Sequence, residues 1–145
     1  MAVTFDEISR ASALLEGVIV RTPFLHSPKL SDITGARIFV KYENLQVTNS
    51  FKDRGAANKI ASLTAAEKTR GVVCMSAGNH AQAVAYHAKR LGIPATIVMP
   101  EQTPATKVER TRAHGAEIVL HGEQLSDSQE KVEEIIAARP TRWRS

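Results

Sequence analysis

Apolar and polar positions fall in blocks along the chain, and the spacing inside the blocks alternates between two kinds. Ile8, Ala11, Leu14 and Leu15 recur at helical spacing and predict an amphipathic helix from about Asp6 to Glu16. Thr22-Pro23 opens a loop, and Ile38-Phe39-Val40-Lys41-Tyr42-Glu43 reads as a strand. Helical spacing returns over Phe51 to Leu63, Asn79 to Leu91, Ala105 to His114 and Leu125 to Ala138. Short apolar runs stand between them, Gly71 to Met75, Ala95 to Met99 and Glu117 to Leu120, and these predict strands. Gly92, Pro94, Pro100, Gly115 and Pro140 mark the stops. Strand and helix in alternation, with apolar strands, predict an α/β fold in which a parallel sheet is flanked by helices. Right-handed crossovers gather the strand-to-helix loops at one sheet edge, where ligands bind beyond the carboxyl ends of the strands. Two loops are expected there: Ser50 to Lys52 after the strand ending at Glu43, and Ser76 to Asn79 after the strand ending at Met75.

In the first loop Ser50 can cap a helix, with Asp53 three residues on completing something close to a capping box. At 100° per residue, Lys52, Ala56, Ile60 and Leu63 fall within about an 80° arc. Lys52 is thus expected to head the apolar stripe, with Arg54 on the opposite side. The positive end of the helix dipole and apolar surroundings would both disfavour its cation. A neutral amine is what attacks an aldehyde to form a Schiff base. On spacing alone, a lysine that snorkels to solvent from an ordinary first turn competes with this reading. In the second loop, Gly78 lets backbone approach a ligand. The N–H groups of the following helix, the Ser76 hydroxyl and the Asn79 amide can hold an anion such as a carboxylate. A plain strand-to-helix turn with a Ser or Asn cap is the alternative there. His80 reads as a proton carrier or as a hydrogen-bonding surface residue.

Composition narrows the partners. The chain has 145 residues, enough for one domain, and is 43% hydrophobic and 23% charged, as soluble globular proteins are. Its net charge of +4 is dispersed, and it has only Phe 4, Tyr 2 and Trp 1, so the clustered basic stripe of a nucleic-acid binder is missing. No apolar run approaches membrane-spanning length, and the N-terminus shows no secretory pattern. No nucleic-acid or membrane partner is expected. The one cysteine, Cys74, excludes an intrachain disulfide or a Cys-based zinc cluster, and its place in Val72-Val73-Cys74-Met75 predicts burial. No metal site is expected.

Ser50-Phe51-Lys52-Asp53-Arg54-Gly55-Ala56 and Ser76-Ala77-Gly78-Asn79-His80-Ala81, in this order and separation, resemble the threonine dehydratase group of pyridoxal-phosphate enzymes. That group includes serine dehydratase and serine racemase. Lys41-x-Glu43-Asn44-Leu45-Gln46, Thr48-Asn49, Leu91-Gly92-Ile93-Pro94 and the strand ending at Met99-Pro100 match as well, so the similarity runs from about Thr22 to Gly122. The resemblance implies an incomplete part of a two-domain fold type II pyridoxal-phosphate enzyme. Residues 1–138 would be the N-terminal part of its catalytic region, most of the small domain included, and 139–145 an irregular tail. Pyridoxal 5'-phosphate would be the cofactor. Lys52 would hold it as a Schiff base, Phe51 would pack near its ring, and Asn79 would hydrogen-bond its phenolic oxygen. Ser76, Gly78, Asn79 and His80 would hold the substrate carboxylate, and Lys52, once released, would be the base at Cα. The cofactor acts as electron sink in such chemistry. The implied activity is an ammonia-lyase giving a 2-oxo acid and ammonia from threonine or serine. It would belong to cytoplasmic amino-acid metabolism, isoleucine biosynthesis included, in an enzyme that is a homo-oligomer at full length. Serine racemase or serine dehydratase is the alternative within the group. A non-catalytic fragment that binds another chain through an unfinished sheet is the alternative outside it.

Two features depart from the group. Ala83 stands where glycine is common. The glycine-rich phosphate loop of the group lies much further along, and the eight glycines here, at 17, 35, 55, 71, 78, 92, 115 and 122, are all isolated. A phosphate cradle and a partner for the pyridine nitrogen are therefore not expected, and the basic tail reads as a truncated or frameshifted end. The chain by itself is expected to be inactive.

Overall fold

The computed structural model describes residues 2–138 and the backbone of 143–144. The first helix, α1 (Phe5–Leu14), forms on a capping box: Thr4 Oγ1 accepts from the Glu7 N–H at 3.3 Å, and the Glu7 carboxylate accepts from the Thr4 N–H at 2.8 Å. The apolar stripe expected of it is not buried. Ile8 and Leu14 are exposed, and only Leu15, just past the helix, enters the core.

Next come β1 (Phe24–His26), α2 (Pro28–Thr34) and β2 (Phe39–Lys41). β1 and β2 pair antiparallel, with Leu25 opposite Val40. This corrects the expectation that the strand before Lys52 belongs to the parallel sheet. β2 sits in a two-stranded sheet of its own, and a 3₁₀ turn, Glu43–Leu45, leads from it toward the Lys52 helix. β1 and α2 were not foreseen in the pattern because they are short and bury no residue.

The rest alternates as expected: α3 (Lys52–Ala61), α4 (Ala65–Arg70), β3 (Val72–Met75), α5 (Asn79–Arg90), β4 (Ala95–Met99), α6 (Ala105–Ala113), β5 (Glu117–Leu120) and α7 (Leu125–Ala138). Only α4 is unforeseen; it too buries nothing and is started by a Thr64–Glu67 capping box. Trp143–Arg144, within the segment expected to be irregular, form β6 beside β3; residues 139–142 and 145 of that segment lie outside the described residues. The sheet order is β5-β4-β3-β6, all parallel.

Alternation along the strands sorts the core onto two faces. Val72 and Cys74 of β3 with Ile97 and Met99 of β4 pack with Ala56 and Ile60 of α3, Ala81, Val84 and Ala88 of α5, and Val108 of α6. Val73 and Val98 point the other way, onto Val132, Ile135 and Ile136 of α7. β3 and β4 bury nearly every residue, which explains their unbroken apolar sequence. Small alanines on α5 let α3 and the sheet both come close to it. Cys74 is fully buried, and burial pushes its thiol up to about 12.

Candidate active site

The Ser76 to His80 loop lies at the carboxyl end of β3, as expected. Ser76 N–H still donates to Val98 O at 3.1 Å, so the loop begins on the sheet itself. Ser76 Oγ accepts from the Gly78 N–H at 3.2 Å, which folds the loop into a tight turn ahead of α5. Gly78 is the N-cap of α5, in extended conformation, and makes no side-chain cap. The first turn of a twelve-residue helix is thus left without a capping side chain, and it presents backbone N–H groups and the positive end of its dipole. A Cβ built on Gly78 would meet no atom within 4 Å, so the backbone there is open to approach. Ser76, Gly78 and His80 are half-buried, and Asn79 is exposed.

Lys52 begins α3, but not as the spacing predicted. The N-cap position is taken by Phe51, which makes no side-chain cap, and Ser50 Oγ accepts from the Lys52 N–H at 3.3 Å. Asp53 completes no capping box. It is buried at 1% exposure, where its Oδ1 meets His87 Nε2 at 2.8 Å and its Oδ2 accepts from the Thr48 N–H at 3.2 Å and from the Thr48 hydroxyl. The buried face of α3 is accordingly Asp53, Ala56, Ala57 and Ile60, spaced at i, i+3, i+4 and i+7. Lys52 stands one residue off that face and is exposed, so the apolar surroundings expected for it are not there among the described residues. Its Nζ lies 4.9 Å from the Phe51 ring centroid, and Phe51 is itself 61% exposed.

Lys52 nonetheless lies near enough to the second loop for its charge to act there. The His80 imidazole is held below the ordinary histidine value, first by burial and then by the positive charge of Lys52. The Lys52 loop is therefore near the Ser76 to His80 loop, although the strand before it lies outside the parallel sheet. The arrangement combines an exposed primary amine, an apolar ring beside it, an uncapped helix start and a hydroxyl. It fits an aldehyde-bearing, anionic ligand: the amine can attack, the ring can cover an aromatic face, and the helix start can receive negative charge. A clustered-glycine cradle for a phosphate is absent from the sequence.

Sequence reasoning missed the residues beneath the site. Asp53 and His87 are 34 positions apart, and no local pattern links them. Burial alone would raise the Asp53 carboxyl, but the bonds from His87 and Thr48 outweigh it and hold that carboxyl below its ordinary value. Glu43, read from sequence as a strand end and part of a matched run, is a hub of hydrogen bonds. It accepts a two-pronged bond from Arg54, at 2.7 and 2.8 Å, and a third from the Thr22 hydroxyl at 2.6 Å. A glutamate and arginine eleven residues apart, either side of a turn, are the sort of signal that could have been weighed.

The family model described as pyridoxal-phosphate dependent enzyme matches residues 15–143. The chain belongs to this family. It is 49% identical over 128 residues to L-threonine ammonia-lyase of Thermotoga maritima, an alignment that covers 88% of the chain and 32% of the relative. It is 46% identical over 134 residues to the L-threonine dehydratase catabolic TdcB of Staphylococcus aureus, covering 92% of the chain and 39% of the relative. Among solved structures, maize serine racemase superposes with a TM-score of 0.91 at 34% identity, over 99% of this chain and 44% of that one. The chain thus spans about a third to two-fifths of the length of the curated relatives it matches. The expectation of a partial fold type II pyridoxal-phosphate enzyme holds.

Proposed function

We propose that this chain carries the lysine and the substrate loop of a pyridoxal-phosphate-dependent ammonia-lyase that converts threonine, or serine, to a 2-oxo acid and ammonia. The observation that carries the reading is that exposed Lys52, at the start of α3, acts electrostatically on His80 at the uncapped start of α5. Lys52 would hold the cofactor covalently, with Phe51 against its ring and Asn79 on its phenolic oxygen. Bound, the cofactor supplies an electron sink for the charge left when Cα loses its proton. Each remaining part of the work falls to the chain. Ser76, Gly78, Asn79 and His80 would bind the substrate carboxylate through the hydroxyl, the backbone N–H groups and the side chains at the helix start. His80, with its proton affinity lowered by burial and by Lys52, serves as a neutral N–H donor instead of a second cation beside the lysine. The Lys52 amine, once released, would take the proton from Cα, and its place at a helix start keeps it within reach of groups held on α5.

The ammonia-lyase reading is supported by the names of relatives at 49% and 46% identity. A serine racemase reading draws support from the TM-score of 0.91 to the maize enzyme. The same Lys52 and loop residues would serve either reaction, since both begin with proton removal from Cα. The cytoplasm, a homo-oligomeric full-length enzyme, and a role in amino-acid metabolism are parts of this proposal. The relatives named catabolic support amino-acid breakdown over isoleucine biosynthesis. Among the described residues no helix is long and apolar enough to cross a membrane.

A chimera tests the reading. This chain replaces the matching 128 residues of the Thermotoga maritima enzyme, and ammonia and 2-oxo acid are followed with threonine and with serine. Turnover that disappears in the Lys52→Ala chimera, together with the covalently bound cofactor, is the expected result. Lyase activity retained by Lys52→Ala would refute it. Ser76→Ala should raise KM, whereas Asn79→Ala should shift the cofactor's absorbance.

A further inference from the structure

We infer that the buried Asp53–His87 pair is a positioning device that sets the register between Lys52 and His80. This rests on the reading of Lys52 and His80 given above.

The geometry is one of two packed helices joined at a buried contact, with Lys52 and His80 at their starts near enough for the lysine charge to act on the imidazole. On α5, His80 and His87 are seven residues apart, which is within 20° of two full turns at 100° per residue, so both lie on one stripe. On α3, Lys52 and Asp53 are neighbours in the first turn. Asp53 meets His87 deep between the helices, both side chains being 1% exposed, and Lys52 acts on His80 further out, toward the loop. The inner contact is directional and charge-assisted, and two packed helices cannot slide past one another without breaking it. The spacing of Lys52 from His80 is thereby tied to the inner contact.

The same carboxylate also secures the approach to Lys52. Its second oxygen takes both the N–H and the hydroxyl of Thr48. Thr48 precedes Asn49, the one non-glycine among the described residues with positive φ, at 59°. Asn49 N–H closes the turn onto Gln46 O at 2.9 Å. Asp53 therefore clamps the turn that delivers Lys52 to α3 on one side and α5 on the other. The cost is visible at His87. With Nε2 turned to Asp53, its Nδ1 is buried without a partner. A plain apolar contact would have avoided that orphaned nitrogen. Retaining it is what a directional constraint requires.

The test measures coupling between Lys52 and His80 and does not need the cofactor. His80 is titrated by NMR in the full 145-residue chain. Lys52→Met removes the charge that depresses His80, so its midpoint should rise toward the ordinary value of about 6.5. In the His87→Ala background that rise should be lost, because Lys52 no longer stands in register. His87→Gln, whose amide N–H can still reach Asp53, should restore it. If His87→Ala does not fold, the paired replacement Asp53→Ala with His87→Leu leaves no uncompensated buried charge, and it too should lose the rise. A rise of the wild-type size in either background overturns the inference, as does the absence of any rise in the wild type. A merely structural role would lower the melting temperature and leave the rise unchanged in the folded state. Failure here leaves the chimera experiment untouched, and retained lyase activity in the Lys52→Ala chimera would leave this cycle standing, so the two ideas fail separately.

Discussion

Glu43→Gln probes how the segment before the site is tied to the helix that carries Lys52. Glu43 takes Arg54 Nε at 2.7 Å and Arg54 Nη2 at 2.8 Å, the Thr22 hydroxyl at 2.6 Å and Gln46 Nε2 at 3.3 Å. Gln46 in turn spans Val20, accepting from its N–H at 3.0 Å and donating to its carbonyl at 2.9 Å. The Arg54 bonds are the main reason the Glu43 carboxyl is held down at about 2, against an ordinary 4.5, and burial opposes them. That gap corresponds to roughly 3 kcal/mol at 1.36 kcal/mol per unit. The Arg54 side chain is 37% exposed and partly screened by water, so about 2 kcal/mol is the better expectation. The folded-state value is depressed, so the stabilisation is complete above the unfolded-state value near 4.5 and fades as pH falls through about 2. Urea unfolding of wild type and variant, stepped from neutral to strongly acid pH, should show a gap of about 2 kcal/mol that closes at the acid end. Subtracting the two curves removes the other titrating carboxyls, Asp53 included. A gap that persists undiminished in acid would refute the electrostatic account. No gap at neutral pH would mean that desolvation cancels the pair.

Three further outcomes are expected. Gly71 has φ 86° and ψ 178°, and a Cβ there would lie 2.6 Å from Pro94 O, the acceptor of the Val72 N–H. Gly71→Ala should therefore cost about 3 kcal/mol in urea unfolding and Gly92→Ala, which has open space, about 1 kcal/mol; equal losses would contradict this. Cys74, buried and with its thiol pushed up to about 12, should react with iodoacetamide only in denaturant, and labelling at a free-thiol rate in native buffer would count against the packing described. The 145-residue chain alone should release no ammonia from threonine or serine with added pyridoxal phosphate, because no glycine cluster in it can replace the water of the phosphate; stoichiometric cofactor binding with steady 2-oxo acid production would overturn that.

The parallel sheet was legible because burial writes itself into sequence there. β3, β4 and β5 each follow a loop stop and carry apolar residues on both faces, and α5 repeats small apolar residues on the side that meets the sheet and α3. The Ser76 to His80 loop followed directly, since its position depends only on β3 and α5. The Lys52 loop was harder. Its place on the surface was inferred from the wrong sheet, and the stripe assigned to α3 was right at Ala56, Ile60 and Leu63 but took Lys52 where Asp53 and Ala57 are buried. The error has a physical source: a scale that counts aspartate as polar puts Asp53 outside and draws Lys52 in. Asp53 is buried because His87 and Thr48 satisfy it, and that information sits 34 residues away.

The first forty residues show the converse limit. Their apolar pattern predicts a buried helix face, yet Phe5, Ile8 and Leu14 are exposed, as are Phe24, Leu25, Ile33 and Phe39 of β1, α2 and β2. An apolar stripe states what an element is able to bury; whether it does so depends on a complementary surface. For α5 that surface is supplied by β3, β4 and α3 within the chain, and pattern and burial agree. For α1 the described residues offer little, and the helix is held chiefly by its own Thr4–Glu7 cap and by Leu15. The two outcomes come from the same periodicity rule. What separates them is the partner surface, so the reading of a stripe is sound only where the sequence also supplies what faces it.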